Sequence, residues 1–249
     1  MGSKKISMKT GIVCVLDALA TKGAWSIDEP NVYIKKMRQI HLKLNEMKAY
    51  MKSVSRVLVL EVVTFSDTII ITLYSRNEFI PALLPYFVRS IDGIFSFCFA
   101  ENLLMRGAIS YGKFIKRQNI IIGPAIDDAA FWHDKGQLIG CVLTPNTSLL
   151  YDTGLDYIIH NPIDKYDNSQ HAIKYNTPFK DGKMYELYNV NWPLSAFKAI
   201  SSVERRNPLF WLKDTLGAYP IPPDAYNKHL NTIEFYNYSI KEAEIKSMI

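Results

Sequence analysis

From Gly11 to Asp17 the chain is almost continuously apolar and rich in Val and Ile, and the run stops at the carboxylate. A short run without alternation predicts a strand buried on both faces, with Asp17 at its C-terminal end. After Thr21-Lys22-Gly23 and Pro30, apolar positions Ile34, Met37, Ile40, Leu44, Met47 and Met51 recur at helical steps, with Lys35, Arg38, Lys43 and Lys48 among the residues between them. This pattern predicts an amphipathic helix with a basic outer face. Arg56 to Phe65 and Thr68 to Tyr74 are dense in Val, Ile, Leu and Thr, and only Ser66-Asp67 separates them. They read as a tight hairpin with Asp67 at its tip.

Further along, Ile80 to Asn102 predicts a helix, and Leu104 to Phe114 returns to strand-like composition. Ile120 to Ile122 is another short apolar piece, and Gly123-Pro124 followed by Asp127 and Asp128 suits a helix start. Gln137 to Leu143 predicts one more strand. The order β-α-β-β-α-β, with additions, is that of an α+β, ferredoxin-like core. Beyond Pro145 periodicity is weak until Tyr226 to Met248, which reads as a final helix. Residues 1–150 are therefore expected to form the core, and 151–249 an elaboration packed on it and helical at its end.

Composition narrows the setting. The chain has 249 residues, 48% of them hydrophobic, enough for one sizeable core and too many for disorder. A net charge of +5 is a mild basic excess rather than an arm built for nucleic acid, and phosphate-bearing small ligands fit it equally well. Cys14, Cys98 and Cys141 lie far apart, which excludes a disulfide framework and points to a reducing, cytoplasmic setting. The five histidines show no zinc-ligand spacing. Asp17 breaks the first apolar run too early for a signal peptide, and Pro81, Pro85, Arg89, Asp92 and Glu101 interrupt the other greasy stretch, so no membrane span is expected.

Two acids stand out, Asp17 at a strand end and Asp67 at a neighbouring hairpin tip, each among apolar neighbours. Isolated carboxylates in such company need a positive partner. Two brought together suit Mg2+ or Mn2+, hard ions that are held by one or two carboxylates plus substrate phosphates. The alternative is that each is simply a turn or cap aspartate.

The strings LDALATKG from Leu16, FSDT from Phe65, RGAISYG from Arg106 and GPAIDDAA from Gly123 together resemble the catalytic core of the class III nucleotide cyclases. More closely, the set resembles the pyrimidine cyclases of the Pycsar antiphage system, over roughly residues 10–148. The resemblance implies that Asp17 and Asp67 hold two divalent ions, Mn2+ or Mg2+, with the Ala18 carbonyl as a further ligand. It implies that the turn Leu19, Ala20, Thr21 and Lys22 receives the triphosphate on backbone N–H groups. Val63 stands where purine cyclases have a base-reading lysine, and Asp127 and Phe131 stand where they have a transition-state Asn and Arg. These departures disfavour an adenylate cyclase and match the pyrimidine branch, where the position of Arg106 is implied to read the base and Asp127 to belong to the substrate site.

Each of these residues also has a plainer reading. Arg106 is a planar fork of donors suited to uracil or cytosine carbonyls, and equally suited to a salt bridge. Asp127 and Asp128 also complement a helix N-terminus. Lys113, Lys116 and Arg117 supply the missing cation or form a solvated strand edge. Trp192, Phe197, Phe210 and Trp211 are read as core or dimer surface ahead of a base-stacking platform.

The activity the resemblance implies is cyclisation of UTP to 3′,5′-cyclic UMP and pyrophosphate, with CTP to cyclic CMP as the alternative. It further implies a homodimer with its sites at the interface, and a cyclic product that acts on a separate effector protein in antiphage defence. No nucleic-acid or membrane partner is expected. The rivals are a catalytically silent nucleotide sensor on the same scaffold and a polymerase-like palm, which also uses paired carboxylates.

Overall fold

A computed structural model describes residues 7–19, 30–75, 81–118, 120–161, 168–203, 208–218 and 221–248. The opening apolar run forms β1 (Lys9–Ala18), and it lies between two antiparallel neighbours. These are β3 (Thr68–Ser75), which forms a hairpin with β2 (Leu58–Phe65), and β4 (Met105–Arg117). The spatial order β2-β3-β1-β4 is that of the ferredoxin-like arrangement predicted from the element order.

Burial on β1 follows its two faces. Ile12, Cys14, Leu16 and Ala18 enter the main core, whereas Val13 and Val15 enter a second cluster with Phe114, Ala125, Ile126 and Ala129. Fully burying each such Val, Ile or Leu stabilises by roughly 1.5–3 kcal/mol, so a one-residue slip that exchanged the faces would be strongly disfavoured. Register therefore determines which face Asp17 shares, namely that of Val13 and Val15.

On the main-core side lie α1 (Pro30–Val54) and α2 (Leu83–Ala100). The buried stripe of α1 is Tyr33, Met37, Ile40, Leu44, Met47 and Met51, with Met37 partly covered. This corrects the expected start at Ile34, which is 45% exposed. Steps of four and three from Tyr33 hold one helical face throughout, and Ile34 falls off it. Among the described residues α2 alone is long and apolar enough to cross a membrane, and 61% of it is buried inside the protein. It tolerates the expected interruptions because Pro85 sits in its first turn and one carboxylate oxygen of the buried Asp92 is held by the fold. Asp92 Oδ2 accepts a 2.6 Å hydrogen bond from Ser195 and lies 2.6 Å from His171 Nδ1.

The second face of the sheet carries α3 (Pro124–Lys135), entered from the short β5 (Ile120–Ile122), which pairs with the end of β4. Of the predicted strand from Gln137 to Leu143, only β6 (Cys141–Leu143) forms, parallel to β4. The weakly patterned stretch that follows is regular in the structure. It contains α4 (Pro145–His160), β7 (Ala172–Pro178), β8 (Met184–Val190), α5 (Trp192–Val203), α6 (Pro208–Leu216) and α7 (Tyr226–Met248). β8 joins β6, and β7 lies outside it, so one sheet runs on either side of residue 150.

Gly107 is where strands approach too closely for a side chain. A Cβ there would stand 2.5 Å from Leu16 Cδ2 and 2.7 Å from the Val15 carbonyl oxygen. Gly107→Ala should destabilise the fold by roughly 1–3 kcal/mol, read as a lower denaturation midpoint. It should also displace the neighbouring Arg106.

Candidate active site

The C-terminal end of β1 brings three strands together. Asp17 stands directly across from Thr68 on β3 and Arg106 on β4. Thr68 donates a 3.3 Å hydrogen bond to Asp17 Oδ1, while Arg106 Nε and Nη2 both donate to Oδ2, at 3.2 and 3.0 Å. Both side chains of this pair are mostly buried, at 16% and 17% exposure. A fork of two charge-assisted bonds orients the carboxylate as well as neutralising it.

Asp67 is the second residue of the two-residue turn between β2 and β3. Ser66 before it has φ 56°, a left-handed backbone that ordinarily favours glycine. The turn is tied to β1 because the Ala18 N–H donates to the Asp67 carbonyl at 3.1 Å. Both acids also act on one phenol. Burial raises the pKa of Tyr33, on α1, above its usual range, and the charges of Asp67 and then Asp17 push it the same way. The backbone of the Asp67 turn is thus held against the end of β1, and Tyr33, a residue that sequence reasoning did not single out, lies near enough to both acids to feel their charge.

Asp17 and Asp67 are hard oxygen donors of the kind a divalent cation takes, although Oδ2 of Asp17 is paired with Arg106 in this structure. Among the described residues no cluster of three or more His, Cys, Asp or Glu side chains could hold a metal. An ion here would complete its shell with phosphate oxygens and water, as Mg2+ commonly does.

Of the other expected site residues, Leu19 directs its N–H to the Leu104 carbonyl at 2.7 Å, so that donor is committed within the protein. Ala20, Thr21 and Lys22 lie outside the described residues. Asp127 is exposed in the first turn of α3, where a negative charge complements the helix dipole, and it is not among the partners of Asp17. Val63 lies directly across from Ile70, which in turn faces Val15, and so presents an apolar surface where purine cyclases have their lysine. Lys116 contacts Glu61 at 3.3 Å, and Lys113 and Arg117 are exposed.

Two residues unremarked in the sequence extend the site. Arg106 Nη1 donates to Asp134 Oδ1 at 3.0 Å, and Lys180, from the β7–β8 turn, donates to the same oxygen at 2.9 Å. Asp17, Arg106, Asp134 and Lys180 thus form an alternating chain of charges from β1 to the C-terminal hairpin. The Lys180 hydrogen bond is the main cause holding the Asp134 carboxyl below its usual range, against the opposing effect of burial, and the charges of Lys180 and Arg106 add to it. Only the tertiary fold brings positions 17, 106, 134 and 180 together, and no local spacing signals it.

No protein-family model and no curated protein matches this sequence. Among solved structures the chain is similar to the guanylyl cyclase Cya2, with a TM-score of 0.50 at 9% identity, covering 76% of this chain and 94% of that one. It is also similar to a bacterial light-regulated adenylyl cyclase, with a TM-score of 0.51 at 12% identity, covering 86% of this chain and 58% of that one. At these identities the likeness is one of fold, the ferredoxin-like core of the class III nucleotide cyclases.

Because its pKa is lowered by folding, ionised Asp134 contributes stability above its unfolded value, about pH 4, and loses that contribution as pH falls through the folded value. Asp134→Asn should therefore narrow the difference between melting temperatures at pH 7 and pH 3. An unchanged difference would remove Asp134 as an acid-sensitive link.

Proposed function

We propose that this chain is a metal-dependent pyrimidine nucleotide cyclase that converts UTP to 3′,5′-cyclic UMP and pyrophosphate. The observation that carries the reading is that the turn bearing Asp67 is held by its backbone against the end of β1 that bears Asp17. The fold shared with a guanylyl and an adenylyl cyclase supports it. The apolar Val63 and the Asp127 and Phe131 replacements favour a pyrimidine over a purine.

In the proposed reaction the 3′-hydroxyl oxygen forms a bond to the α-phosphorus, the bond from that phosphorus to the bridging oxygen of pyrophosphate breaks in line, and the hydroxyl proton passes to solvent. Asp17 and Asp67, with the Ala18 carbonyl, would hold Mn2+ or Mg2+. Bound divalent ions would supply the charge that eases loss of the hydroxyl proton and spreads the charge on the leaving oxygens. Thr68 and Arg106 hold the Asp17 carboxylate in one orientation, so little reorganisation is needed at that ligand. The turn of Ala20, Thr21 and Lys22 receives the triphosphate, and Arg106 lies close enough to the acids to serve the substrate as well as Asp17. The working form is a homodimer with sites at its interface, and the cyclic product serves as a second messenger for a separate effector in antiphage defence.

A second reading, a catalytically silent nucleotide sensor, draws on one observation. Arg106 already places a cation on Asp17, where a metal would bind.

A screen of the purified protein against UTP, CTP, ATP and GTP with Mn2+, read by chromatography of the products, should yield cyclic UMP. Turnover of a purine alone would overturn the pyrimidine assignment, and nucleotide binding without product would favour the sensor. Asp17→Ala and Asp67→Ala should each lower turnover by more than ~100-fold while circular dichroism stays native, a loss expected when a transition-state charge loses its counter-charge. Near-normal activity in either variant would remove that residue from the mechanism. Arg106→Ala should raise KM and blur the choice among the four bases, and unchanged kinetics across all four would retire it as a base reader.

A further inference from the structure

Arg106 is bonded to two carboxylates at once. Its Nε and Nη2 donate to Asp17 Oδ2, and its Nη1 donates to Asp134 Oδ1 at 3.0 Å. The two bonds to Asp17 occupy the lone pairs of Oδ2, while Thr68 donates to Oδ1 of the same carboxylate. A guanidinium and a divalent cation on one carboxylate repel each other. Occupation of Asp17 by the cation that the cyclase reading requires therefore demands another seat for the charge of Arg106.

Asp134 has the properties of that seat. It stands in the last turn of α3, where the helix dipole disfavours a negative charge, so helix chemistry alone does not account for an acid there. Its position is fixed from outside the helix. Lys180 Nζ donates to the same Oδ1 at 2.9 Å, and the Lys180 N–H donates to the Lys135 carbonyl at 3.0 Å. The Gln137 N–H donates to the Pro178 carbonyl at 2.9 Å, a second stitch between the end of α3 and the β7–β8 turn. Arg106 and Lys180 thus share one oxygen of one anchored carboxylate.

Exposure grades outward along the chain of charges. The side chains of Asp17 and Arg106 are 17% and 16% exposed, those of Asp134 and Lys180 47% and 39%. Water can take over the role of a partner at the outer pair and not at the inner one. The ammonium group of Lys180 can therefore yield to solvent when Arg106 turns more of its charge to Asp134.

We propose that Asp134 is a positioning residue that retains Arg106 when a divalent cation occupies Asp17, and that Lys180 competes with Arg106 for it. Nη1 stays on Asp134, while Nε and Nη2 leave Oδ2 and become donors for the nucleotide. One arginine is thereby the counter-charge of Asp17 before the cation arrives and a substrate contact afterwards. The proposal rests on the cyclase reading for the cation and the nucleotide.

The test measures Mn2+ affinity of the full-length protein without nucleotide, from the electron paramagnetic resonance signal of free Mn2+. The effects should alternate in sign along the chain. Asp134→Asn removes the second seat of Arg106 and should weaken Mn2+ binding about 5-fold or more. Lys180→Met leaves Asp134 wholly to Arg106 and should tighten binding, as should Arg106→Met. Both outer effects should vanish in an Arg106→Met background, because they act through the guanidinium. Asp181→Asn is the control for the electrostatic field alone. That carboxylate lies in the same turn as Lys180 but accepts from the Lys183 N–H and the Tyr185 hydroxyl, so its loss should leave affinity unchanged. Asp134 and Lys180 are partly exposed, and their variants should keep native circular dichroism.

Affinities that do not move in Asp134→Asn and Lys180→Met, or that move equally with Arg106 absent, would overturn the proposal; normal UTP turnover beside them would leave the cyclase reading standing. An effect of Asp181→Asn as large as that of Asp134→Asn would overturn it too, which keeps the test decisive should Arg106→Met not fold. Alternating shifts in a protein that cyclises none of the four triphosphates would retain the positioning role and remove the cyclase reading. Absence of Mn2+ binding in every variant would overturn both.

Discussion

The placement of one carboxylate governs much of this structure. β1 is covered on both faces, so its register is set by the burial of Ile12, Cys14 and Leu16 on one side and Val13 and Val15 on the other. Asp17 is the residue at which that apolar strand ends, and alternation places it on the Val13 face. A carboxylate there is tolerable only with a counter-charge, which Arg106 supplies from the next strand and Thr68 assists from the other side. The hairpin carrying Asp67 is then held against the same strand end by its own backbone.

From this point the charge alternates outward. Arg106 is shared between Asp17 and Asp134, and Asp134 between Arg106 and Lys180. The β7–β8 hairpin is thereby linked to the acid pair electrostatically and is stitched to α3 by backbone hydrogen bonds. On the opposite side of the sheet, Asp92 joins α2 to the turn before β7 and to α5 through His171 and Ser195. The region beyond residue 150 is therefore attached to the core on both faces, and rigid support of this kind is what a site demanding close geometry requires.

Much of the first half was legible because its elements are amphipathic in simple ways. The α1 stripe, the β2–β3 hairpin around Ser66-Asp67 and the strand nature of β1 all follow from hydrophobic spacing. The same method missed α4 because its buried residues include Thr147, Ser148 and Gly154, which carry no hydrophobic signal. Thr147 is buried there because its hydroxyl receives the Tyr111 N–H, a partner 36 positions away. Gly154 is small because the Pro81 carbonyl lies against it. Similarly, β7 exposes Lys174 and Asn176 and β8 exposes Glu186, while the polar Thr177 and Asn189 are buried, so alternation there is faint.

For the candidate site, the sequence by itself determined that two acids stand at a strand end and a hairpin tip among apolar positions, and that the strand and hairpin are neighbours. Those properties depend on local pattern and on the order of elements. What only the tertiary structure decided is how Arg106 is used, that Asp134 and Lys180 belong with it, and that Tyr33 lies near enough to both acids to feel their charge. Each of these depends on contacts between residues far apart in the chain, and such contacts are set by the packing of whole elements rather than by the chemistry of any one segment.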